Sequence, residues 1–311
     1  MSKFYGMRNV GETILVRVAL GIIPLLPRWL VLRLARGLEA GALRFSRRYR
    51  DRSMANLALV FGDELTEEER RGIARDALYS FIMVVLDLFW FSRWTIRRIE
   101  KWVNFDVSFD PYFQNRPVIA VSGHFGNWEI LGLGTAVRGC PPASVVAPMQ
   151  NPALDRMLNR IRVLTGQQVI PQKGAVRGMI RVLRSGERVA ILIDQNVIPR
   201  QGGVFLDFFQ RPVPVTPVLE ALVEKTGATV VPVYSRIMPD GRYLAYGGRP
   251  MTPASLAEWN GDWPVTRHCL ADLEREILRF PGYWNWMYKR WKYIPAGEDP
   301  GRYPYYARFL E

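Results

Sequence analysis

Apolar residues are arranged in two regimes along the chain. Before about residue 92 they recur at helical spacing, whereas from Pro117 onward they gather in short continuous runs separated by amphipathic stretches. Pro117 to Ser122, Ala143 to Ala147, Gln168 to Pro171, Arg188 to Asp194 and Thr229 to Ile237 read as strands. Mostly continuous apolar runs of this kind belong to a sheet covered on both faces. Helical patterns fall between them, at about Asn127 to Val137, Pro152 to Thr165, Ala175 to Leu183 and Thr216 to Lys225. Arg242 to Gly247 reads as a further, antiparallel strand, and Trp263 to Arg279 as a last helix. This alternation predicts an α/β fold with a mixed, mainly parallel sheet flanked by helices, and no linker divides it.

The earlier regime has two parts. From Ile14 to Phe45 the chain is rich in Leu, Val, Ile and Ala, but Arg17, Arg28, Arg33, Arg36 and Arg44 interrupt it, and Pro24 and Pro27 break it into two helical pieces. Its longest uncharged run, Val18 to Pro27, is ten residues, short of the ~20 that cross a bilayer. No small-residue cleavage site of a signal peptide follows. The pattern predicts a helical arm over residues 1–45 that lies in the headgroup region of an anionic membrane, with arginines toward lipid phosphates and Trp29 at the boundary, joined to an α/β domain over 46–311. Packing of Leu30, Leu34 and Leu38 on the core is the competing reading. Next, Thr66-Glu67-Glu68-Glu69 is a capping box, and Ile73, Ala77, Phe81, Val84, Val85 and Leu88 carry a long helix onward. From Tyr79 to Phe91 Asp87 is the one charge, so this helix is buried or meets hydrocarbon.

Charge narrows the partners. Lys and Arg number 42 against 29 Asp and Glu, a formal net charge of +13, which favours anionic partners: anionic lipid, an acidic carrier protein or nucleic acid. The chain lacks zinc-finger spacing, an aromatic-rich RNA-binding signature and a long Lys/Arg block, so no nucleic acid is expected. Cys140 and Cys269 lie too far apart in sequence to form a disulfide framework.

Candidate chemistry centres on one of only two histidines. His124 follows the apolar run Pro117 to Val121, inside Ser122-Gly123-His124-Phe125-Gly126-Asn127-Trp128-Glu129. An imidazole there can take a proton from a hydroxyl while a carboxylate orients its other nitrogen, and Glu129 is the nearest candidate in sequence. In a regular helix a five-residue offset sets side chains ~140° apart, so the pair requires His124 in a turn and Glu129 in the first helical turn. Metal catalysis needs more ligands than His124 and one carboxylate, and the second histidine, His268, has no HExxH-like partner. A nucleophile elbow, a P-loop and a complete dinucleotide fingerprint are all missing.

The His-x-x-x-x-Glu of Gly-His-Phe-Gly-Asn-Trp-Glu resembles the bacterial lipid A late acyltransferases, of the lauroyl and myristoyl type, within the wider glycerolipid acyltransferase superfamily. Ordered blocks extend the resemblance over roughly Arg52 to Pro295: Asn159 to Arg162, Lys173 to Arg177, Asp194 to Asn196, Gly202 to Phe205, Phe208-Phe209, Thr216-Pro217 and Thr226 to Ala228. One departure is Tyr288, which stands in Trp286-Met287-Tyr288-Lys289-Arg290-Trp291-Lys292 where the family usually carries a histidine. Tyrosine keeps a hydrogen-bonding tip but cannot carry a positive charge.

The resemblance implies a membrane-associated O-acyltransferase at the cytoplasmic face of the inner membrane, using no cofactor beyond an acyl thioester on acyl carrier protein or coenzyme A. The acceptor is a lipid A precursor; a lysophospholipid, glycolipid or aminolipid acceptor, and a noncatalytic lipid-binding protein, are the alternatives. It implies His124 as base, oriented by Glu129, with Asp194 supporting the site from the end of a later strand. Arg160 or Arg162 would bind acceptor phosphate or help stabilise the oxyanion, and Asn127, Lys173, Arg177 and Gln195 complete the substrate-binding positions. Two basic clusters, Lys289-Arg290-Lys292 and Arg181-Arg184-Arg188, are candidate surfaces for the carrier.

Overall fold

The computed structural model describes residues 13–146, 151–256 and 261–310, apart from the side chains of residues 43, 153 and 256. The start of the expected arm and the expected strand end at Ala147 lie outside them. Nine strands matter for the site: β1 (Val103–Phe105), β2 (Val118–Ser122), β3 (Pro142–Val145), β4 (Gln168–Ile170), β5 (Arg188–Leu192), β6 (Val204–Asp207), β7 (Pro212–Val215), β8 (Thr229–Ile237) and β9 (Tyr243–Gly247). Seven of them form one sheet in the order β1-β9-β8-β2-β5-β3-β4. The five central and right-hand strands run parallel, while β9 is antiparallel to β8 and β1 is parallel to β9. The fold is therefore the mixed, mainly parallel α/β sheet with flanking helices that the pattern predicts.

The sheet is organised around β2. All five of its residues are buried, and it pairs with β5 on one side and β8 on the other, Val118 standing opposite both Arg188 and Thr229. Helices Trp128–Val137, Pro152–Leu164 and Ala175–Arg184 make the crossovers between successive parallel strands, as parallel pairing demands. A separate antiparallel hairpin, β6 with β7, follows β5.

Thr66 forms the expected capping box with Glu69, and the helix it starts, Glu67–Trp90, is a core element: Met83, Leu86, Phe89 and Trp90 pack in one buried cluster with Val31 and Ala35 of the helix Arg28–Phe45. The stripe of the latter helix that packs inward centres on Arg28, Val31, Ala35 and Glu39; of the competing core-packing residues, Leu34 packs half-buried against the same cluster, Leu30 is half-buried and Leu38 is exposed. Arg28 departs furthest from the expectation that the arginines point at lipid. It is buried, bonded through its guanidinium to Asp87 and through Nε to the Gly241 carbonyl at 3.1 Å. Asp87, the lone charge of its stretch, is what holds it there. Ahead of this, residues 13–22 are helical and break at Pro24 and Pro27, leaving Ile14, Leu15, Ile22, Leu25 and Trp29 exposed. Among the described residues, no helix is long and apolar enough to cross a membrane.

Candidate active site

The site forms where β2 ends. Beyond Ser122 a four-residue loop, 123–126, leads to Asn127, which caps the helix Trp128–Val137, its side chain accepting from the Ile130 amide at 3.1 Å. Gly126 takes φ +58°, and a β-carbon there would sit 1.8 Å from the Ser235 carbonyl oxygen, so only glycine allows the loop to lie against β8. Hydrogen bonds pin the loop on both sides: Gly126 donates to the Tyr283 carbonyl at 2.8 Å, the Asn127 amide donates to Ser235 Oγ at 3.0 Å, and Asn285 donates to the His124 carbonyl at 3.2 Å.

This loop places His124 over the end of the neighbouring strand. Asp194 lies two residues past β5, fully buried, and His124 Nδ1 stands 2.8 Å from its Oδ1. The His124 amide donates to Oδ2 at 2.8 Å, and Trp284 Nε1 donates to the same oxygen at 2.9 Å. Burial raises the pKa of Asp194, but these donors and the imidazole outweigh it and hold the carboxyl at about 2. An ionised Asp194 makes Nδ1 the protonated nitrogen, leaving Nε2 as the base. Among the described residues, none hydrogen-bonds Nε2. Burial opposes protonation of the imidazole, yet the Asp194 carboxylate more than offsets it, so His124 titrates above its ordinary value. Trp128 packs edge-on against the ring at 4.8 Å between centroids, and Tyr288 lies nearly parallel to it at 6.3 Å.

The expected His124–Glu129 pair is therefore corrected. Glu129 does lie in the first turn of its helix, but there it accepts from Arg162 Nη2 at 3.0 and 3.1 Å, while Asp194 holds the imidazole. The reason is the loop path: it carries His124 toward β5, whereas the helix turns Glu129 toward the helix Pro152–Leu164. Glu129 still favours the imidazolium at longer range, so it and Arg162 form a second charged layer beside the dyad.

The other expected positions separate. Arg160 and Arg162 lie two apart on one helix, hence ~200° apart around it; Arg162 faces Glu129 and Arg160 is exposed. Lys173 and Arg177 are exposed and follow β4, three strands from β2. At the usual interstrand spacing that is ~14 Å along the same sheet edge, which suits a remote contact rather than the reacting atoms. Gln195 is exposed beside Asp194. Asn127, by contrast, turns inward: besides capping its helix it donates to Tyr243 Oη at 3.2 Å and Asp87 Oδ2 at 3.4 Å, so it positions the loop rather than contacting substrate.

Several contributors carry little sequence signal. Trp284 is one; Asn196, within the block Asp194 to Asn196, has partners that no spacing announces, its amide donating to Tyr288 Oη at 3.0 Å and its Oδ1 accepting from Arg290 Nη1 at 2.7 Å. Tyr288 thereby keeps the structural half of the position where the family usually has histidine. Arg290 is fully buried and also donates to the Pro214 carbonyl at 3.0 Å, which removes it from the surface cluster expected with Lys289 and Lys292. Burial lowers its pKa to about 10, with Asp194 acting in the opposite direction. The aromatic density of Trp284 to Trp291 was the one readable hint that this segment is core.

Residues 3–293 match the family model described as bacterial lipid A biosynthesis acyltransferase. The lipid A biosynthesis lauroyltransferase of Escherichia coli is 30% identical over 297 residues, covering 91% of this chain and 92% of that protein. The lipid A biosynthesis palmitoleoyltransferase of the same organism is 28% identical over 276 residues, 85% of this chain and 86% of the relative. A phosphatidylinositol mannoside acyltransferase of Mycolicibacterium smegmatis is 26% identical over 179 residues, 57% of each chain.

Proposed function

The chain belongs to the bacterial lipid A biosynthesis acyltransferase family, and on that premise we propose that it moves a fatty acyl group from acyl carrier protein to a hydroxyl of a lipid A precursor, at the cytoplasmic face of the inner membrane. The observation that carries this reading is the His124–Asp194 dyad at the carboxyl edge of the parallel strands, with Nε2 free to meet a hydroxyl. His124 Nε2 takes the proton of the acceptor hydroxyl as its oxygen attacks the thioester carbonyl. The tetrahedral oxyanion collapses, the C–S bond breaks, and the imidazolium returns its proton to the departing thiolate. Asp194 stays ionised throughout and stabilises the imidazolium. Arg162, held by Glu129, is the cation available to a developing oxyanion or an acceptor phosphate. The reaction calls for no metal or prosthetic group, only the acyl donor.

The carrier-protein donor is supported by charge beside Tyr288. Lys289 lies in the field of Arg52, Lys292, Arg308 and Arg48, a group of like charges that, after burial, lowers its pKa. A cationic face next to the ring that flanks His124 suits an acidic carrier delivering its acyl arm. A glycolipid acceptor is the second reading, favoured by the mannoside acyltransferase relative. Lipid mass spectrometry of a deletion strain distinguishes the two: loss of one acyl group from lipid A supports the first, and unchanged lipid A with a deacylated glycolipid overturns it. For the donor, steady-state kinetics with one acyl chain on carrier protein and on coenzyme A are decisive, and preference for coenzyme A refutes the carrier.

A further inference from the structure

The short helix Thr95–Trp102 carries a cavity of about 300 Å³ lined by Trp94, Arg97, Arg98, Lys101 and Trp102. Three of these five side chains are cationic and none is acidic; Glu100, the helix's one acid, does not line it. Arg98 is anchored, donating to the carbonyls of Trp90 and Pro24, with its guanidinium 3.9 Å from the Trp90 ring centroid. Arg97 and Lys101 are exposed. Burial first, then the neighbouring Arg28 and Arg93, lowers the Arg98 pKa to about 10.

The surroundings of the cavity are apolar and exposed. Trp94 is 51% and Ile96 50% exposed, and the Pro24 contact brings the exposed Ile22 and Leu25 alongside. Cations set among exposed tryptophan and aliphatic side chains match the headgroup layer of a bilayer, where indole and charge both find partners, better than they match an acidic protein surface. The location agrees. Trp102 leads directly into β1, whose Val103 stands opposite Tyr243, and the Tyr243 hydroxyl meets Asn127, the cap of the helix that follows His124. Cavity and dyad thus open on one sheet edge, the edge to which a membrane-embedded acceptor must bring its hydroxyl.

We infer that the cleft between Trp94 and Trp102 is a binding site for the phosphate headgroup of an anionic membrane phospholipid, which orients the catalytic edge toward the bilayer. This rests on the membrane-surface reading of the enzyme and extends it from the N-terminal arm to a defined pocket. Arg97 and Lys101 supply the mobile cations, Arg98 the fixed one, and the two indoles sit at the interface.

The test is vesicle flotation of the full chain on phosphatidylcholine vesicles with and without phosphatidylglycerol. Each basic residue near an anionic surface contributes roughly fivefold to partitioning, so Arg97→Ala with Lys101→Ala should lower binding to the phosphatidylglycerol vesicles roughly 25-fold and leave binding to pure phosphatidylcholine and the melting temperature unchanged. The arm is tested in parallel by Ile22→Asp with Leu25→Asp. If the arm variant detaches and the cleft variant floats like wild type, the headgroup site is refuted and the membrane reading survives. If neither detaches, both fail. A cleft variant that floats normally but raises KM for the acyl carrier would likewise overturn the assignment, giving the cavity to the carrier.

Discussion

Two buried aspartates divide the labour of this molecule. Asp194, at the catalytic edge, accepts from His124 and Trp284; Asp87, where the N-terminal helix meets the core, accepts from Arg28, Tyr243 and Asn127. Their exposures are 1% and 2%, so solvent does not distinguish them. What differs is the partner. In the proposed reaction the imidazole facing Asp194 gains and loses a proton in each cycle, and the carboxylate makes both states accessible. The guanidinium facing Asp87 never changes charge: although burial opposes its charged state, Asp87 and Tyr243 more than compensate and raise its pKa further. Rings of Trp90, Phe91, Trp102 and Tyr243 surround it within about 6 Å. Side-chain chemistry alone thus makes one buried carboxylate a working part and the other a fastener. Asn127 joins the two regions, capping the helix after His124 while touching Asp87.

The largest expected effect belongs to His124→Ala. Loss of a general base costs about 10² to 10⁴ in rate, and the melting temperature should stay close to wild type because the loop is held through backbone groups and Phe125; wild-type turnover with a radiolabelled acyl donor would remove His124 from the chemistry. Asp87→Ala should act the opposite way. It leaves Arg28 buried and unpaired, which costs about 3–5 kcal/mol of stability by denaturant titration, with near-normal turnover per folded molecule. A catalytic defect at full stability would erase the contrast drawn between the two aspartates.

Asp194→Asn comes next, at about a hundredfold loss of kcat/KM, and its pH profile sharpens the comparison. Only neutral imidazole accepts a proton, so wild-type activity should rise with pH through the raised His124 pKa. Removing the carboxylate that raises it must move this acid limb to lower pH in the residual activity. A limb that stays in place would show that Asp194 does not set the histidine's titration. The smallest effect is Thr66→Ala, which deletes the capping box of the helix bearing Asp87 and should cost about 1 kcal/mol in thermal melts without touching catalysis.

How much of this was legible depended on sequence distance. The strand β8 falls on the expected residues 229–237, because the apolar run Val230 to Tyr234 between polar ends leaves little freedom, and the helix after Thr66 is marked by a cap that is local by nature. β1 escaped notice: three residues carry no period, and its pairing with β9 is long-range. The hairpin of β6 and β7 was masked by Pro212 and Pro214, which argue against a central strand but suit a separate two-stranded ribbon. The site repeats the lesson. Gly126 and Asn127 could be placed from their neighbours, but the partner of His124 could not. Glu129 is only five residues from His124, whereas Asp194 is 70 and Trp284 stands 90 residues beyond that carboxylate. The register of β2 with β5 brings the carboxylate to His124, and the pairing of Phe125 with Trp284 brings the indole.

That register also dates the birth of the reactive base. β2 waits for β5, which emerges after two other strands and three crossover helices, and pairs between β2 and the earlier β3. Insertion of a late strand into the middle of a parallel sheet is a non-local step, slow relative to helix formation. Until it occurs the imidazole lacks its carboxylate, and the indole that donates to that carboxylate comes later still, from Trp284. The proton acceptor is thus assembled from distant parts of the chain, and a molecule without β5 and the Trp284 segment in place lacks the partners that tune His124.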